Sequence, residues 1–393
     1  VPSALHLWEM KSVLYDKPYE NAVKREDYSG FQWLEAVPLR YTVHLDCSQD
    51  IMALFGMTPF GWRFMGTLFG VGMLPLLYVF LKNLFGRTSI ATCGTVLLAA
   101  DFMHLTQTRL ATIDTYAFFF ILLMYYFMYR YLTLPAGAPF RKCALPLFLS
   151  GLFWGIGAAS KWTVIYGCTG LVVLYFIGLY QKLRDWPADG ETGARQPGRL
   201  KWAFQILAFS VLVFALIPAA IYTLSYLPYA WAEGDSSLTG LVGAMWENQK
   251  YMLSYHSGVT DTHPYSSRWY QWLFDIRPIL YYMDNSVPGY TTRFAAFVNP
   301  VVCWGGLLAV LACAVQAVRR RCARALFIVI GYLAQLVPWF FIGRITFAYH
   351  YFPSVLFLIL ALCYVFYSLS EQEELIAWKP AMYAVTAGAA ALY

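Results

Sequence analysis

Residues 101–114 read DFMHLTQTRLATID, and four ionisable side chains, Asp101, His104, Arg109 and Asp114, interrupt a strongly apolar part of the chain there. The planar guanidinium of Arg109 suits a phosphate because it presents several N–H donors to anionic oxygens and stays charged beside a membrane. A neighbouring carboxylate would orient that guanidinium or contact a polar ligand. Asp101 and His104 are three residues apart, so we expect them to share one face of a helix. The motif predicts a corner at which four polar groups converge on an anion.

Simpler interpretations of this motif stay open. Arg109 and Asp114 could neutralise each other across a turn, because a carboxylate inside a membrane is costly without a partner. An arginine at the end of a span also often extends to the lipid headgroups. A histidine among aromatic residues is commonly a hydrogen-bonded packing residue.

The composition indicates a membrane protein. Of 393 residues, 59% are hydrophobic and 13% are charged, whereas soluble domains carry about a quarter charged residues. No internal repeat or broken helix is evident. We therefore predict an all-α polytopic membrane protein with about ten spans. They lie at 61–82, 89–105, 112–131, 143–160, 162–180, 203–227, 298–317, 325–342, 354–369 and 380–393.

Charge patterning predicts the orientation and the partners. The net charge of +6 is dispersed in short clusters between apolar runs, so we expect no nucleic-acid partner. The Lys and Arg clusters follow the first, third, fifth and seventh spans, which places all of them in the cytoplasm. The opposite connections, including 1–60, 106–111 and 228–297, then face outward.

Several basic and titratable residues fall on that outer side, against the usual bias. Four basic residues lie there at span ends or turns, namely Arg63, Arg109, Lys161 and Arg344. All six histidines also fall there, namely His6, His44, His104, His256, His263 and His350. An anionic partner outside the cytoplasm would explain the basic residues, so we expect any chemistry to be extracytoplasmic.

The outer segment 228–297 supplies a second group of candidates. Aromatic residues alternate there with short polar side chains, with His256 and His263, and with Arg277 in FDIRPILYYMDN. Aromatic faces and hydroxyls suit sugar rings, although an interfacial aromatic belt is a competing interpretation. A third element, GRITFAYHYFP at 343–353, carries a further arginine and histidine at the outer ends of two spans.

The eight cysteines show no CxxC pair and no spacing typical of metal ligands. Five of them fall inside apolar runs, namely Cys93, Cys168, Cys303, Cys313 and Cys363. We expect buried thiols and neither a disulfide framework nor a metal site.

Five strings in order resemble the landmarks of the bacterial dolichyl- or polyprenyl-phosphate-mannose protein O-mannosyltransferases, glycosyltransferase family 39. They are TPFGWRFMGTLFGVGMLPLLYVFLKNLFG, DFMHLTQTRLATID, GIGAASKWTVIYG, YHSGVTDTHPYSSRW with IRPILYY, and GRITFAYHYFP. The resemblance covers residues 52–370. It implies a GT-C transmembrane helix bundle in domain 52–393, with its active site on the extracytoplasmic face. It also implies transfer of mannose from polyprenyl-phosphate mannose to Ser or Thr hydroxyls of extracytoplasmic proteins, at the bacterial plasma membrane and without a cofactor.

The resemblance also implies roles for individual residues. Arg109 matches the arginine at the carrier phosphate, and Asp114 matches the aspartate that follows it. Lys161 and Trp162 match a Lys-Trp pair. The other implied phosphate ligands are Arg277, Arg344 and Lys161. The implied supporting or substrate-binding residues are Asp101, His104, Asp114, Trp162, His256, His263, Tyr265 and His350.

The front of the chain departs from the family pattern. The family has a span, then an Asp-Glu pair whose carboxylate acts as base on the acceptor hydroxyl, and then a His-Pro-Pro motif. Residues 1–51 contain none of these. Glu26 and Asp27 are the only adjacent acids nearby, so the catalytic residues stay unknown. The chain opens on Val1 and stops in an apolar run, and we expect a fragment whose atypical front reflects a wrong gene start or a frameshift and impairs catalysis.

Three partners are expected, namely the carrier lipid, an acceptor protein and, during export, the secretion translocon. Metal dependence stays open. Another GT-C polyprenyl-phosphate sugar transferase, acting on lipid or glycan, is an alternative function. A secondary transporter is an alternative of another class, although transporters usually show inverted repeats and broken helices.

Overall fold

A computed structural model describes residues 59–110, 112–187, 198–232, 235, 237–258, 262–372 and 378–393. The side chains of Pro59, Trp62, Trp231, Ala232 and His256 fall outside that description. So do residues 1–58, which include the candidate acids Glu26 and Asp27.

The described residues are mostly helical. The first nine α-helices are α1 (Pro59–Phe85), α2 (Thr88–Ala99), α3 (Phe102–Arg109), α4 (Asp114–Leu132), α5 (Phe140–Ser160), α6 (Val164–Arg184), α7 (Arg199–Val211), α8 (Ile217–Leu224) and α9 (Leu227–Ala232). A π-helical turn (Leu212–Leu216) joins α7 to α8. The remaining α-helices are α10 (Leu238–Gly258), α11 (Trp269–Trp272), α12 (Pro300–Arg319), α13 (Ala323–Leu336), α14 (Phe352–Ser370) and α15 (Trp378–Leu392). Two 3₁₀ turns, Val337–Phe341 and Ala348–Tyr351, lie between α13 and α14.

Seven helical segments of the described chain are long and apolar enough to cross a membrane, or eight if the bent pair α2 and α3 forms one span. Helix α4, which is rich in tyrosine, and the 15-residue α15 are not among them. The chain is therefore an integral multi-pass membrane protein, while the count of about ten spans stays a prediction.

Helix α14 lies at the centre of the bundle. The residues from Val355 to Ala361 are fully buried, and α2, α12 and α13 pack against this helix. A helix that is apolar on every side is stable only when other helices surround it. The predicted span 354–369 falls within this helix.

Contacts between helix ends define two ends of the bundle. At one end, Arg87 pairs with Glu371 at 2.8 Å, and Arg324 donates to the Tyr367 hydroxyl at 2.9 Å. This end gathers residues from the Lys/Arg clusters that the sequence assigns to the cytoplasm. The chain direction of α4, α6 and α14 places Asp114, Lys161 and Tyr349 at the opposite end.

The predicted span 89–105 is not one straight helix, although α2 and α3 together are long and apolar enough to form one bent span. The chain forms two helices, α2 and α3, which meet at an angle of 58°. Asp101 lies in the break with an extended backbone and caps α3 by accepting the N–H of His104 at 2.9 Å. A side chain that caps the start of a helix competes with continuation of the preceding one. The chain therefore does contain a broken helix, which hydropathy did not reveal.

The predicted polar segment 228–297 contains regular structure, including α10, α11 and a β-hairpin. The hairpin strands are β1 (Ile279–Asp284) and β2 (Thr292–Ala296), which pair antiparallel. Leu280 pairs with Ala295 and Tyr282 with Phe294, which leaves Tyr281 as the extra residue of a bulge. Thr106 donates to the Ala295 carbonyl at 3.1 Å and so fastens the hairpin to α3.

The seven described cysteines are all free thiols. Cys93, Cys303, Cys313 and Cys363 are buried as expected, whereas Cys168 is only partly buried.

Candidate functional site

An ion pair between Asp114 and Lys161 forms the centre of the candidate site. Asp114 begins α4, and Lys161 ends α5 with an extended backbone, so two helix ends bring the side chains together. The Lys161 ammonium donates to Asp114 Oδ1. Because the two side chains are only 13% and 10% exposed, each charge depends strongly on the other. Asp114 therefore pairs with Lys161, and the interpretation in which it neutralises Arg109 is wrong.

Tyr349 and Arg344 extend this cluster. The Lys161 ammonium lies 5.3 Å from the centre of the Tyr349 ring, a cation–π geometry. Arg344 and Asp114 both lie within electrostatic range of the Tyr349 hydroxyl. Arg344 is partly buried and donates to the Ile345 carbonyl at 3.2 Å. With Asp114 neutralised by Lys161, Arg344 leaves one positive charge in excess here.

A directional chain of hydrogen bonds borders the same cluster. Thr112 donates its hydroxyl to Gln107 Oε1 at 3.0 Å, and Gln107 Nε2 donates to the Tyr281 hydroxyl oxygen at 2.8 Å. Thr115 also fixes α3 by donating to the Gln107 carbonyl at 2.8 Å. Burial raises the pKa of Tyr281 well above its usual range, and the charge of Asp114 acts in the same direction. Tyr281 is therefore a protonated donor at neutral pH.

Arg109 ends α3 and is exposed. It makes no hydrogen bond or ion pair with any residue in the described part of the chain. A cation at this position is favoured by the partial negative charge of the helix C-terminus. The side chain is thus available to an anion, and its role as a phosphate ligand stays a prediction.

Asp101 and His104 do not converge on this cluster. Asp101 is fully buried and accepts the N–H groups of His104 and Asn299. The His104 ring lies 3.2 Å from the Gly70 carbonyl through Nε2 and links α3 to α1. The expectation that these two side chains share a helix face is wrong, because Asp101 precedes the helix as its cap. Both hold α3 in place.

His263 and Arg277 of the outer segment lie in neighbouring loops. His263 packs edge-on against Phe347, and its Nδ1 accepts the N–H of Tyr265 at 3.1 Å. Arg277 is exposed and donates to the Ser266 carbonyl at 3.2 Å. These contacts put the loop beside the 343–351 segment, and a direct role of its residues in binding stays a prediction.

His350 and Trp162 have structural contacts of their own. His350 is buried among aromatic rings, with Trp339 and Tyr349 each 4.4 Å from its ring centre. The packing interpretation fits it best. Trp162 donates to the Tyr222 hydroxyl at 2.8 Å and so faces α8. Its neighbour Lys161 pairs with Asp114, so the two residues of the predicted Lys-Trp pair contact different parts of the protein.

Three residues of the site were missed from sequence, namely Gln107, Tyr281 and Tyr349. The many tyrosines of this chain are also what an interfacial aromatic belt would contain, so Tyr281 and Tyr349 did not stand out. Gln107 is uncharged and was not among the ionisable candidates. The spacing within DFMHLTQTRLATID does place Gln107 beside Arg109, and that is the only signal that could have drawn attention to it.

Family models match most of the chain. Residues 38–232 match the model described as dolichyl-phosphate-mannose-protein mannosyltransferase. Residues 241–393 match the C-terminal four-transmembrane region of protein O-mannosyltransferase. The chain belongs to the protein O-mannosyltransferase family. It is thus a glycosyltransferase of that kind, as the sequence motifs predict.

Curated relatives agree with this family. A polyprenol-phosphate-mannose–protein mannosyltransferase of Mycolicibacterium smegmatis is 26% identical over 82% of this chain and 70% of its own length. A protein of the same name from Mycobacterium tuberculosis is 26% identical over 73% of this chain and 62% of its own length. The chain thus spans 62 to 70% of the length of these two family members.

Solved structures agree on the fold. The Saccharomyces cerevisiae protein O-mannosyltransferase Pmt1-Pmt2 complex bound to the sugar donor matches with a TM-score of 0.68 at 12% identity, over 84% of this chain and 76% of that chain. ArnT of Cupriavidus metallidurans matches with a TM-score of 0.51 at 16% identity, over 84% of this chain and 49% of that chain. The predicted GT-C fold is confirmed.

Proposed function

We propose that this protein transfers mannose from a polyprenyl-phosphate carrier to Ser or Thr hydroxyls of other proteins, on the outer face of the bacterial plasma membrane. The observation that carries the proposal is the cluster of Lys161, Asp114, Arg344 and Tyr349 at one end of a protein O-mannosyltransferase bundle. It has excess positive charge and lies at the end opposite the Lys/Arg clusters. An acceptor leaving the secretion translocon would meet this end of the bundle.

The chemistry needs two kinds of group. The acceptor oxygen attacks C1 of mannose while the bond from C1 to the phosphate oxygen breaks, and the electron pair leaves with the phosphate. The hydroxyl proton goes to a general base, which typically contributes about a hundredfold to ten-thousandfold. Cationic and N–H or O–H donors stabilise the charge that develops on the phosphate. Among the described residues, Lys161, Arg344 and the exposed Arg109 suit this second role.

The test uses membranes that contain the protein, polyprenyl-phosphate mannose labelled in the sugar, and a Ser/Thr peptide. We expect label in the peptide and a large loss of transfer for Arg109→Ala. Arg319→Ala, an exposed arginine at the other end of the bundle, is the matched control and keeps transfer. Transfer by Arg109→Ala equal to that of wild type would rule out the assigned role of Arg109.

The two alternatives are separated by the same preparation. A transferase that acts on lipid or glycan would label those acceptors and leave the peptide unlabelled. A transporter would accumulate substrate in proteoliposomes without forming a new glycosidic bond. The break between α2 and α3 favours neither alternative, because Asp101 fills it with internal hydrogen bonds.

A further inference from the structure

Tyr281 occupies an unusual position in the hairpin. As the extra residue of the bulge it is displaced from the regular alternation of β1, and bulges commonly re-aim a side chain towards a functional site. Its side chain turns to α3, where Gln107 Nε2 donates to the phenol oxygen at 2.8 Å. The next residue, Tyr282, is 54% exposed. Tyr281 is thus partly buried against α3, while Tyr282 is exposed.

The direction of the hydrogen bond from Gln107 leaves the phenol O–H of Tyr281 without an acceptor among the described residues. In the structure Gln107 Oε1 faces the Thr112 hydroxyl, and Nε2 faces the Tyr281 hydroxyl. An amide nitrogen donates only, and the phenol oxygen must accept from it. No described residue accepts the phenol proton in return. Tyr281 is thus a donor that a fixed amide orients and that lacks an acceptor in the described part of the protein.

The surroundings select the kind of acceptor. Tyr281 is hydrogen-bonded to Gln107, and the Gln107 carbonyl accepts from Thr115, the residue after Asp114. The Tyr281 hydroxyl therefore lies near the ion pair of Asp114 with Lys161, and the charge of Asp114 acts on it. Asp114 is already paired with Lys161, so the positive charge of Arg344 is in excess. A cluster with a surplus cation and an oriented O–H donor matches an anionic oxygen better than a neutral hydroxyl.

We propose that Tyr281, aimed by the β-bulge and held by Gln107, donates its hydroxyl proton in a hydrogen bond to the phosphate of the polyprenyl carrier, beside Lys161 and Arg344. This proposal rests on the function proposed above and adds a neutral donor to its cationic ligands. A phenol supplies direction where the lysine and arginine supply charge, so it helps to select a phosphate oxygen and to position the leaving group.

The test measures binding of polyprenyl phosphate, of the neutral polyprenol with the same chain, and of inorganic phosphate to the purified protein in detergent. Tyr281→Phe removes one oxygen and keeps the ring, and Tyr282→Phe is the matched control in the same strand. We expect Tyr281→Phe to weaken the binding of polyprenyl phosphate roughly tenfold to a hundredfold and to leave the binding of polyprenol unchanged. Gln107→Leu, which removes the orienting amide, should weaken the same ligand.

Each result decides the proposal. Equal polyprenyl phosphate affinity in Tyr281→Phe and Tyr282→Phe overturns it, as does an equal loss of polyprenol binding or a wild type that does not bind polyprenyl phosphate. If Tyr281→Phe also binds inorganic phosphate more weakly, the contact is with the phosphate itself. If it binds only polyprenyl phosphate more weakly, the contact requires the lipid-linked headgroup. If the phosphate-specific loss appears but the wild type does not transfer mannose to any peptide, the donor role stands and the proposed function fails.

Discussion

The side-chain carboxylate of Asp101 accepts a hydrogen bond from the backbone N–H of Asn299, 2.8 Å away and 198 residues later in the chain. The other carboxylate oxygen accepts the N–H of His104, and Asn299 in turn donates through Nδ2 to the Ala100 carbonyl at 2.9 Å. One buried residue therefore joins the break between α2 and α3 to the start of α12. It fixes the direction in which α3 carries Gln107 and Arg109 to the site.

Asp101→Ala is expected to destabilise the fold. The substitution removes a helix cap, worth about 1 kcal/mol, and leaves the buried Asn299 N–H unpaired, which costs about 1–3 kcal/mol. Thermal unfolding in detergent should show a lower midpoint. The control is Asp185→Ala, because Asp185 is exposed and, among the described residues, its carboxylate pairs with Arg184 alone. Equal midpoints for the two variants would show that the Asp101 contacts contribute nothing.

Asp114→Asn is expected to destabilise the folded protein more than its small change in size suggests. It leaves the Lys161 charge largely buried without its partner, and breaking such a pair costs about 3–5 kcal/mol. The control is Glu247→Gln in the exposed pair with Lys250, where the loss should stay below about 1 kcal/mol.

A double variant separates the structural part of this pair from its part in binding. Asp114→Asn with Lys161→Met removes both charges, so stability should recover relative to Asp114→Asn alone while mannose transfer does not. Unfolding midpoints and the peptide assay measure the two quantities on the same preparations. Recovery of transfer together with stability would assign the pair to the fold alone.

Hydropathy predicted the helices well where long apolar runs are uninterrupted. Predicted spans 143–160 and 354–369 fall within α5 and α14. The bend within the predicted span 89–105 was not predicted because mean hydropathy stays high across Asp101, although an Asp just before a helix is itself a capping signal. A window average cannot show a change of direction that a single side chain causes.

The site was predictable only where charge drew attention to it. Lys161 and Asp114 were both candidates, but nothing in a single sequence shows that residues 47 positions apart will meet. Tyr281 depends on a bulge, and the strand ILYYMD is too short and too uniformly apolar for its sequence to show where the alternation of faces shifts by one residue. The contacts that aim side chains at the site are long-range, and that is the part which the motifs could not provide.

Gly70→Ala is expected to displace α3. A Cβ at Gly70 would lie 2.5 Å from the Thr108 Cβ, and no side-chain rotation can move a Cβ away. The shift should also weaken the contact between His104 Nε2 and the Gly70 carbonyl. We expect a lower unfolding midpoint and weaker transfer. Gly72→Ala, on the same helix, meets only the Phe119 ring at 3.5 Å and should be neutral or slightly stabilising. A neutral Gly70→Ala would mean that α1 and α3 do not pack closely.

The contribution of Asp275 to the stability of the folded protein is expected to decrease as the pH rises from 5 to 8. Burial raises the pKa of this carboxyl from its usual value to about 7, and the nearby charge of Asp101 adds to the increase. Between about pH 4 and 7 the folded state holds a proton that the unfolded chain releases, so the contribution of Asp275 is present at low pH and is lost as the pH passes 7.

Asp275→Asn removes this titration and should tolerate the same backbone, because an Asn adopts the left-handed conformation that Asp275 shows at φ 55° as readily as an Asp. The unfolding midpoint of wild type relative to that of Asp275→Asn should therefore fall between pH 5 and about 7 and level off above that. Asp284→Asn is the control, since hydrogen bonds from Ser286 lower the pKa of Asp284 and its titration lies below this range. A pH-independent difference for Asp275→Asn would show that this carboxyl is already ionised at pH 5 in the folded protein.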